Sequence, residues 1–506
     1  MTRKHIERAR AVTLAFLTLS SVYLYAFPSA TIPYLAVVLA HVAGGFLLSV
    51  LVVPVLIRNK SAGWIVTTAG AALGIVLTLT GGTRPFTSLL YVHAGIAFLG
   101  VILVVASRRR PHVVFSVLAT AALVLLASAW TLRESRWRDA YRIRNPQMPP
   151  ESQANEGDGV NGPFFPSSAQ TSHGGKIPSK FFMDSQACQR CHPDIYEQWS
   201  SSAHRFSSFN NQWYRKSIEY MQDVVGVQPS KWCAGCHDPA LLFSGMFDTP
   251  VRELIDKPEA HAGLGCVMCH SITAVKSTMG QGDFTLEYPA LAELAASSNK
   301  LVQLLHDFLV HVNPEPHRRT FLKPFVRSQT ADFCSSCHKV HLDRHVNNYR
   351  WIRGFNDYDN WQASGVSGFG ARSFYYPPNS QRCVDCHMPV LDSHDAGNIK
   401  GKIHSHRFPG ANTALPLVNN DPEQMDATVK FLQDNILSVD IFGIAPVNNM
   451  KPSTGHSSGP QLATTFALGE EADLGAAVAA DVQTAPVTAP LNRVNAAVTP
   501  GETYRV

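Results

Sequence analysis

The chain has 506 residues, enough for two or three domains, and is 45% hydrophobic and 16% charged with a formal net charge of +5. That small positive balance, without an aromatic-interleaved basic stripe, excludes nucleic acid as a partner. The averages conceal two unlike halves: residues 11–130 are almost free of charge, while 131–410 hold all ten cysteines and most of the histidines.

Five apolar stretches come first, at 11–27, 32–57, 64–80, 86–106 and 113–130. Each suits one crossing of a bilayer core, which takes about 17–25 helical residues. Arg3, Lys4, Arg8 and Arg10 mark the N-terminus as cytoplasmic, and Arg58, Lys60 and Arg108 to Arg110 mark two loops likewise; the outer turns carry only Arg84. Five spans starting inside finish outside, so 1–130 reads as a transmembrane bundle that delivers the cysteine half to the periplasmic or external face. The alternative for 11–27 is a cleaved signal peptide, which leaves the remaining topology unchanged.

Two ionisable residues fall inside these spans. His41 in "AVVLAHVAGGFLLSV" and His93 in "LLYVHAGIAFLGVIL" are costly in lipid and therefore functional candidates. Both helices begin at the outer face, and a rise of 1.5 Å per residue places the histidines roughly 14 and 10 Å below it. Small residues follow each, Ala43-Gly44-Gly45 and Ala94-Gly95, which would admit a flat macrocycle. A b-type haem between these helices is one reading. Two packing histidines hydrogen-bonded across helices are the other.

From Arg144 to about Lys180 the composition turns to Pro, Gly, Ser, Asn and Gln, the signature of a solvated linker, which is set at 131–180. The segment 181–420 follows, with few long periodic runs, short helical stretches after several motifs and one at 289–311. Every cysteine lies in one of five identical arrangements: Cys188/Cys191/His192, Cys233/Cys236/His237, Cys266/Cys269/His270, Cys334/Cys337/His338 and Cys383/Cys386/His387. Two thiols one helical turn apart suit addition across the two vinyl groups of a porphyrin, and the next residue presents imidazole to the iron. Disulfides or zinc would leave the five adjacent histidines unexplained. Five covalent haem c groups are expected, their porphyrin faces forming much of the core.

A second histidine at each iron separates electron carriers from catalysts. Candidates are His204, at the end of "PDIYEQWSSSAH" read as a helix, with His261, His317, His345 and His406; His311, His341 and His404 are alternatives. For any of them the competing reading is an ordinary surface or hydrogen-bonding histidine.

Taken together, "CQRCHPDIYEQWSSSAH", "WCAGCHDPALLFSG", "GLGCVMCHSI", "FCSSCHKVHL" and "CVDCHMP…SHRFPGANTALP" resemble the multihaem cytochrome c-554-type proteins, relatives of hydroxylamine oxidoreductase. The resemblance covers roughly 181–420. It implies closely stacked haem pairs, mostly bis-histidine, on a mainly helical scaffold with long loops, and it adds weight to His204 and His406. The chain departs from the enzymatic relatives in having neither a C-x-x-C-K motif nor eight haem motifs. Both departures favour electron transfer.

The tail, 421–506, holds a short amphipathic helix, "DPEQMDATVKFLQDNIL", an Ala/Val-rich segment and a strand-like end, "VTPGETYRV". A lone strand is unstable, so that end needs a pairing segment, another chain, or a β-domain that continues beyond Val506. The expected whole is mainly α: a transmembrane helix bundle and a haem-cored, loop-rich multihaem cytochrome c domain. Its expected work is electron transfer between the quinone pool, or a quinol-oxidising complex, and periplasmic or extracellular redox proteins. The other classes are a reductase or oxidase of a small nitrogen or sulfur compound, and a structural subunit of a respiratory complex or haem-stacked filament.

Overall fold

The computed structural model describes residues 3–58, 61–107, 111–370, 377–434, 441–447, 487–491 and 493–506. The chain is mainly helical and divides into two units, Met1–Thr428 and Val429–Val506.

The first unit opens with α1 (Arg3–Ala26), α2 (Ile32–Arg58), α3 (Ala62–Thr80), α4 (Thr87–Ala106) and α5 (Pro111–Ala140). Four helices among the described residues, in the regions of α1 to α4, are long and apolar enough to cross a membrane. The fifth apolar stretch lies within α5, which continues to Ala140, and several of its side chains fall outside the described set. Leu19, Val50, Ile57 and Leu79 stand exposed on these helices, as a lipid-facing surface requires.

Contacts at one end of the bundle join it to the cysteine-bearing part. Tyr25 O, near the end of α1, accepts from Arg133 at 3.1 Å, and the Tyr34 hydroxyl, near the start of α2, accepts from Asn313 Nδ2 at 2.9 Å. Past the end of α3, Gly82 N donates to His311 O at 2.8 Å. A Cβ on Gly81 would lie 2.7 Å from His311 Cε1, and one on Gly82 would lie 2.6 Å from Val312 O. Only glycine lets this turn approach the Lys300–Val312 helix so closely. Near the end of α5, Arg133 and Glu134 pair with Glu315 and Arg319, each at 2.6 Å. Burial pushes the Glu315 carboxyl up, but Arg318, Arg319 and Arg133 hold it down at about 2. These contacts join the ends of α2, α3 and α5 to the cysteine-bearing part, while Lys4, Arg8 and Arg10 lie at the far end of α1.

The stretch 131–180 is not a solvated linker. Ile143, Phe164 and Ile177 are buried, and Gln329 bonds both the N–H and the carbonyl of Ile143, at 2.9 and 3.0 Å. Its polar composition conceals these few anchors. Gln170–Thr171 (β1) pairs in parallel with Phe284–Leu286 (β3), which pairs antiparallel with Ile272–Val275 (β2). The stretch at 289–311 is two helices, Ala290–Ala295 and Lys300–Val312, because Asn299 caps the second by accepting from Leu301 N at 2.9 Å. Hairpins at Lys339–Leu342/Ile352–Asn356 and Val390–Asp392/Lys402–His404 complete the unit.

This part also has an apolar core of its own, contrary to the expectation that porphyrins supply most of the core volume. Phe243 sits at its centre, with ring centroids 5.0 Å from Phe164, 5.6 Å from Phe182 and 6.4 Å from Phe284. All four rings are buried. Phe243→Ala should therefore cost about 3–5 kcal/mol, read as a lower guanidinium midpoint of the detergent-solubilised holoprotein. An unchanged midpoint would return the core to the porphyrins.

The second unit is small. The helix Pro422–Leu432 leads into it, begun by Asp421, whose carboxylate accepts from Gln424 N at 2.9 Å. The strand-like end finds its partner within the chain: Tyr504–Arg505 pairs antiparallel with Ala445–Pro446. Most of the Ala/Val-rich segment lies outside the described residues.

Candidate functional site

Each Cys-x-x-Cys-His motif closes a helical turn or tight bend. Cys266–His270 and Cys383–His387 are one-turn helices, and the second motif ends the helix Val227–His237. In the first and fourth, His192 N and His338 N each donate to the carbonyl of the first cysteine at 2.9 Å. An i, i+3, i+4 spacing then sets both sulfurs and the ring on one face.

All five motif histidines have Nδ1 committed. His237 bonds to Ser207 O at 2.8 Å, His270 to Phe321 O at 2.7 Å and His387 to Pro409 O at 2.8 Å. His192 bonds to Asp395 at 2.7 Å and His338 to Asp357 at 3.0 Å. A carbonyl can only accept, so Nδ1 carries the proton and Nε2 is left as a lone-pair donor. Fixing the tautomer this way is how proteins orient imidazole ligands of a metal.

Three of these rings face another histidine. His192 and His317 have centroids 6.2 Å apart with planes at 17°, and His270 and His406 are 6.4 Å apart at 26°. His338 and His204 are 6.2 Å apart at 86°. Two imidazoles on opposite sides of one first-row metal, each bound at about 2 Å, hold their ring centres roughly 6 Å apart, so the spacing suits bis-histidine iron. Burial, reinforced by neighbouring histidines, depresses His204 and His317 to about 3 and His406 to about 4. All three are therefore neutral near pH 7, the form a metal binds.

The other candidates are placed elsewhere. His261 Nε2 bonds to Ile255 O at 2.6 Å, and His345 packs edge-on against Phe165 at 5.0 Å. His341 pairs with buried Glu156 at 3.2 Å, His311 Nε2 lies 3.3 Å from Leu79 O, and His404 Nδ1 bonds to Met388 O at 2.9 Å. His204 is reached differently from expected: the helix Pro193–Ser200 stops short of it, and a turn carries it to the fourth motif. At the second motif His237 lies flat against Tyr214, 4.3 Å away, whose hydroxyl bonds to Asp238. The five acceptors behind the motif rings were not foreseen, and three are backbone carbonyls, which leave no residue-type signal.

None of the ten cysteines is in a disulfide. Thiols of different motifs are neighbours: Cys188 lies beside Cys266, Cys236 beside Cys337, and Cys334 beside Cys383. The first motif thus adjoins the third, the second adjoins the fourth, and the fourth adjoins the fifth. A cavity of about 2520 Å³ runs past His192, His270, His338 and His387 and on into the bundle to His41 and His93. There His93 Nδ1 bonds to Gly70 O and His41 Nδ1 to Ser20 Oγ, each at 2.8 Å. The helices bearing them, α2 and α4, lean on α3 and α1 and barely touch one another. The cavity lies between them.

The fifth cysteine pair departs from the expectation that both thiols face one porphyrin slot. Cys383 lines the cavity, whereas Cys386 does not. The Cys386 thiol donates instead to Gln381 Oε1 at 3.7 Å, a side-chain acceptor just before its own one-turn helix. Cys233 and Cys236 of the second motif also lie outside the cavity lining.

Residues 187–271 match the family model described as cytochrome c554 and c-prime. The matched segment spans the first three motifs. It supports a multihaem c-type cytochrome with covalently bound haem and a role in electron transfer. Neither the curated proteins nor the solved structures provide a match to the chain.

Proposed function

We propose that the chain is a membrane-bound pentahaem c-type cytochrome that moves electrons between the quinone pool and redox proteins on the periplasmic or external side. The observation that carries this reading is the commitment of Nδ1 in all five motif histidines, three of which face a second histidine. The cysteine pairs hold the porphyrins. His192, His237, His270, His338 and His387 are the proximal ligands, with His317, His406 and His204 opposite the first, third and fourth. Bound haem supplies a one-electron iron couple at each site, and the chain sets its ligands, hydrogen bonding and burial.

His41 and His93 hold one further, non-covalent haem b between α2 and α4. The slot between those helices, the two committed Nδ1 atoms and the small lining residues Gly45, Gly74 and Ala94 support this assignment. Quinol oxidised near the outer face releases two protons and two electrons, and the electrons leave singly. The direct test is to add a quinol analogue to the oxidised full-length protein in detergent. The c-type absorption should become that of ferrous haem; reduction by dithionite alone would refute the quinone link.

A second reading, reduction or oxidation of a small nitrogen or sulfur compound, has its support at the second motif. Among the described residues no histidine is seen across from His237 at the spacing of the three pairs. Carbon monoxide binding to the unmodified reduced protein would support it.

A further inference from the structure

The membrane bundle grips one of the five motifs more directly than the others. Arg84, in the outer turn before α4, donates to Gly397 O at 2.6 Å and to Asn398 O at 2.9 Å. Gly397 N in turn donates to Asp395 Oδ1 at 2.7 Å, the oxygen that accepts from His192 Nδ1 at 2.7 Å. Three hydrogen bonds therefore lead from a membrane helix to the proximal ring of the first motif. The opposite ring is tied as well: His317 lies in the helix Glu315–Phe321, whose first residue pairs with Arg133 of α5 at 2.6 Å. The third motif meets that same helix through Phe321 O, which accepts from His270 Nδ1.

We infer that the first motif is where electrons cross between the membrane bundle and the covalent haem chain, and that Arg84 is the positioning residue that fixes its proximal histidine through the Asp395–Asn398 loop. The inference rests on the electron-transfer reading above. In the outward direction His41 and His93 would hold the one-electron donor and His192 and His317 the one-electron acceptor, so that each electron lost on the bundle side would be gained at the first motif. A membrane quinol restores the bundle, becoming quinone with loss of two protons per two electrons. From the first motif the thiol contacts lead to the third through Cys188 and Cys266. Cys269 of the third lies near Cys337 of the fourth, and the fourth adjoins both the second and the fifth.

Asp395 makes the His192 ring more electron-rich, which favours ferric iron. Freeing the loop should weaken that bond and raise the midpoint of one haem. The test is a potentiometric titration, followed optically and by EPR, of the full-length holoprotein in detergent. The first-motif haem is identified as the one that turns high-spin in His317→Ala. Arg84→Ala should shift that haem about tenfold toward the ferrous form, 59 mV for one electron, and leave the others in place. Asp395→Asn should move the same haem further in the same direction. If Arg84→Ala and Asp395→Asn both leave it unmoved, or move another haem instead, the inference is wrong. With a quinol analogue, His317→Ala should slow reduction of the other four c haems at least tenfold, and reduction at the unmodified rate would also overturn it. Failure of quinol to reduce even the unmodified protein would sink the quinone link, leaving the titration to decide the role of Arg84.

Discussion

Replacing His204 with alanine should convert one low-spin haem to high-spin and open it to carbon monoxide or cyanide. His204 lies 6.2 Å from His338, and the ring of Phe408 packs beside it, with centroids 4.4 Å apart. Phe408 has no atom to offer a metal. The angle between the imidazole planes makes the outcome specific. His204 and His338 are nearly perpendicular, at 86°, whereas the pairs His192–His317 and His270–His406 are closer to parallel, at 17° and 26°. Perpendicular and parallel ligand planes give different low-spin EPR signals. His204→Ala should remove the perpendicular type, and His317→Ala and His406→Ala should each remove one of the parallel type. A low-spin spectrum unchanged by His204→Ala would make His204 an ordinary core histidine.

Replacing His93 with alanine should abolish the one haem that acid–acetone extracts from the full-length protein, leaving the covalent haems attached. The same result is expected for His41→Ala. An unligated ionisable ring at this depth in a membrane helix is expensive, and simple packing would have brought α2 and α4 together. Instead the two helices stand apart across a cavity lined by His41, Gly45, Gly74, His93 and Ala94. If extraction releases nothing from the unmodified protein, the two histidines are packing residues and the bundle serves as an anchor or docking surface.

Much of this arrangement can be read from local pattern. The motifs follow from residue type and spacing, and the membrane helices from runs of apolar residues, because both signals lie within a few turns of chain. The pairing of ligands does not. His317 meets His192 and His406 meets His270 across more than a hundred residues of intervening chain, distances over which no sequence period operates. Nearness in sequence misled at His261, five residues before Cys266, because a bond to Ile255 O occupies its Nε2. His345, close behind the fourth motif, is turned onto Phe165. The stretch 131–180 was opaque for another reason: a handful of buried apolar residues fixed a segment whose average composition is that of a linker.

The central claim is a haem count, and the pyridine haemochrome spectrum of the purified full-length protein reads it directly, since it separates c from b haems against protein concentration. Five haem c and one haem b per chain are expected. Fewer than five haem c would contradict the assignment of the Cys-x-x-Cys-His motifs, and five haem c with no haem b would contradict the relay through His41 and His93.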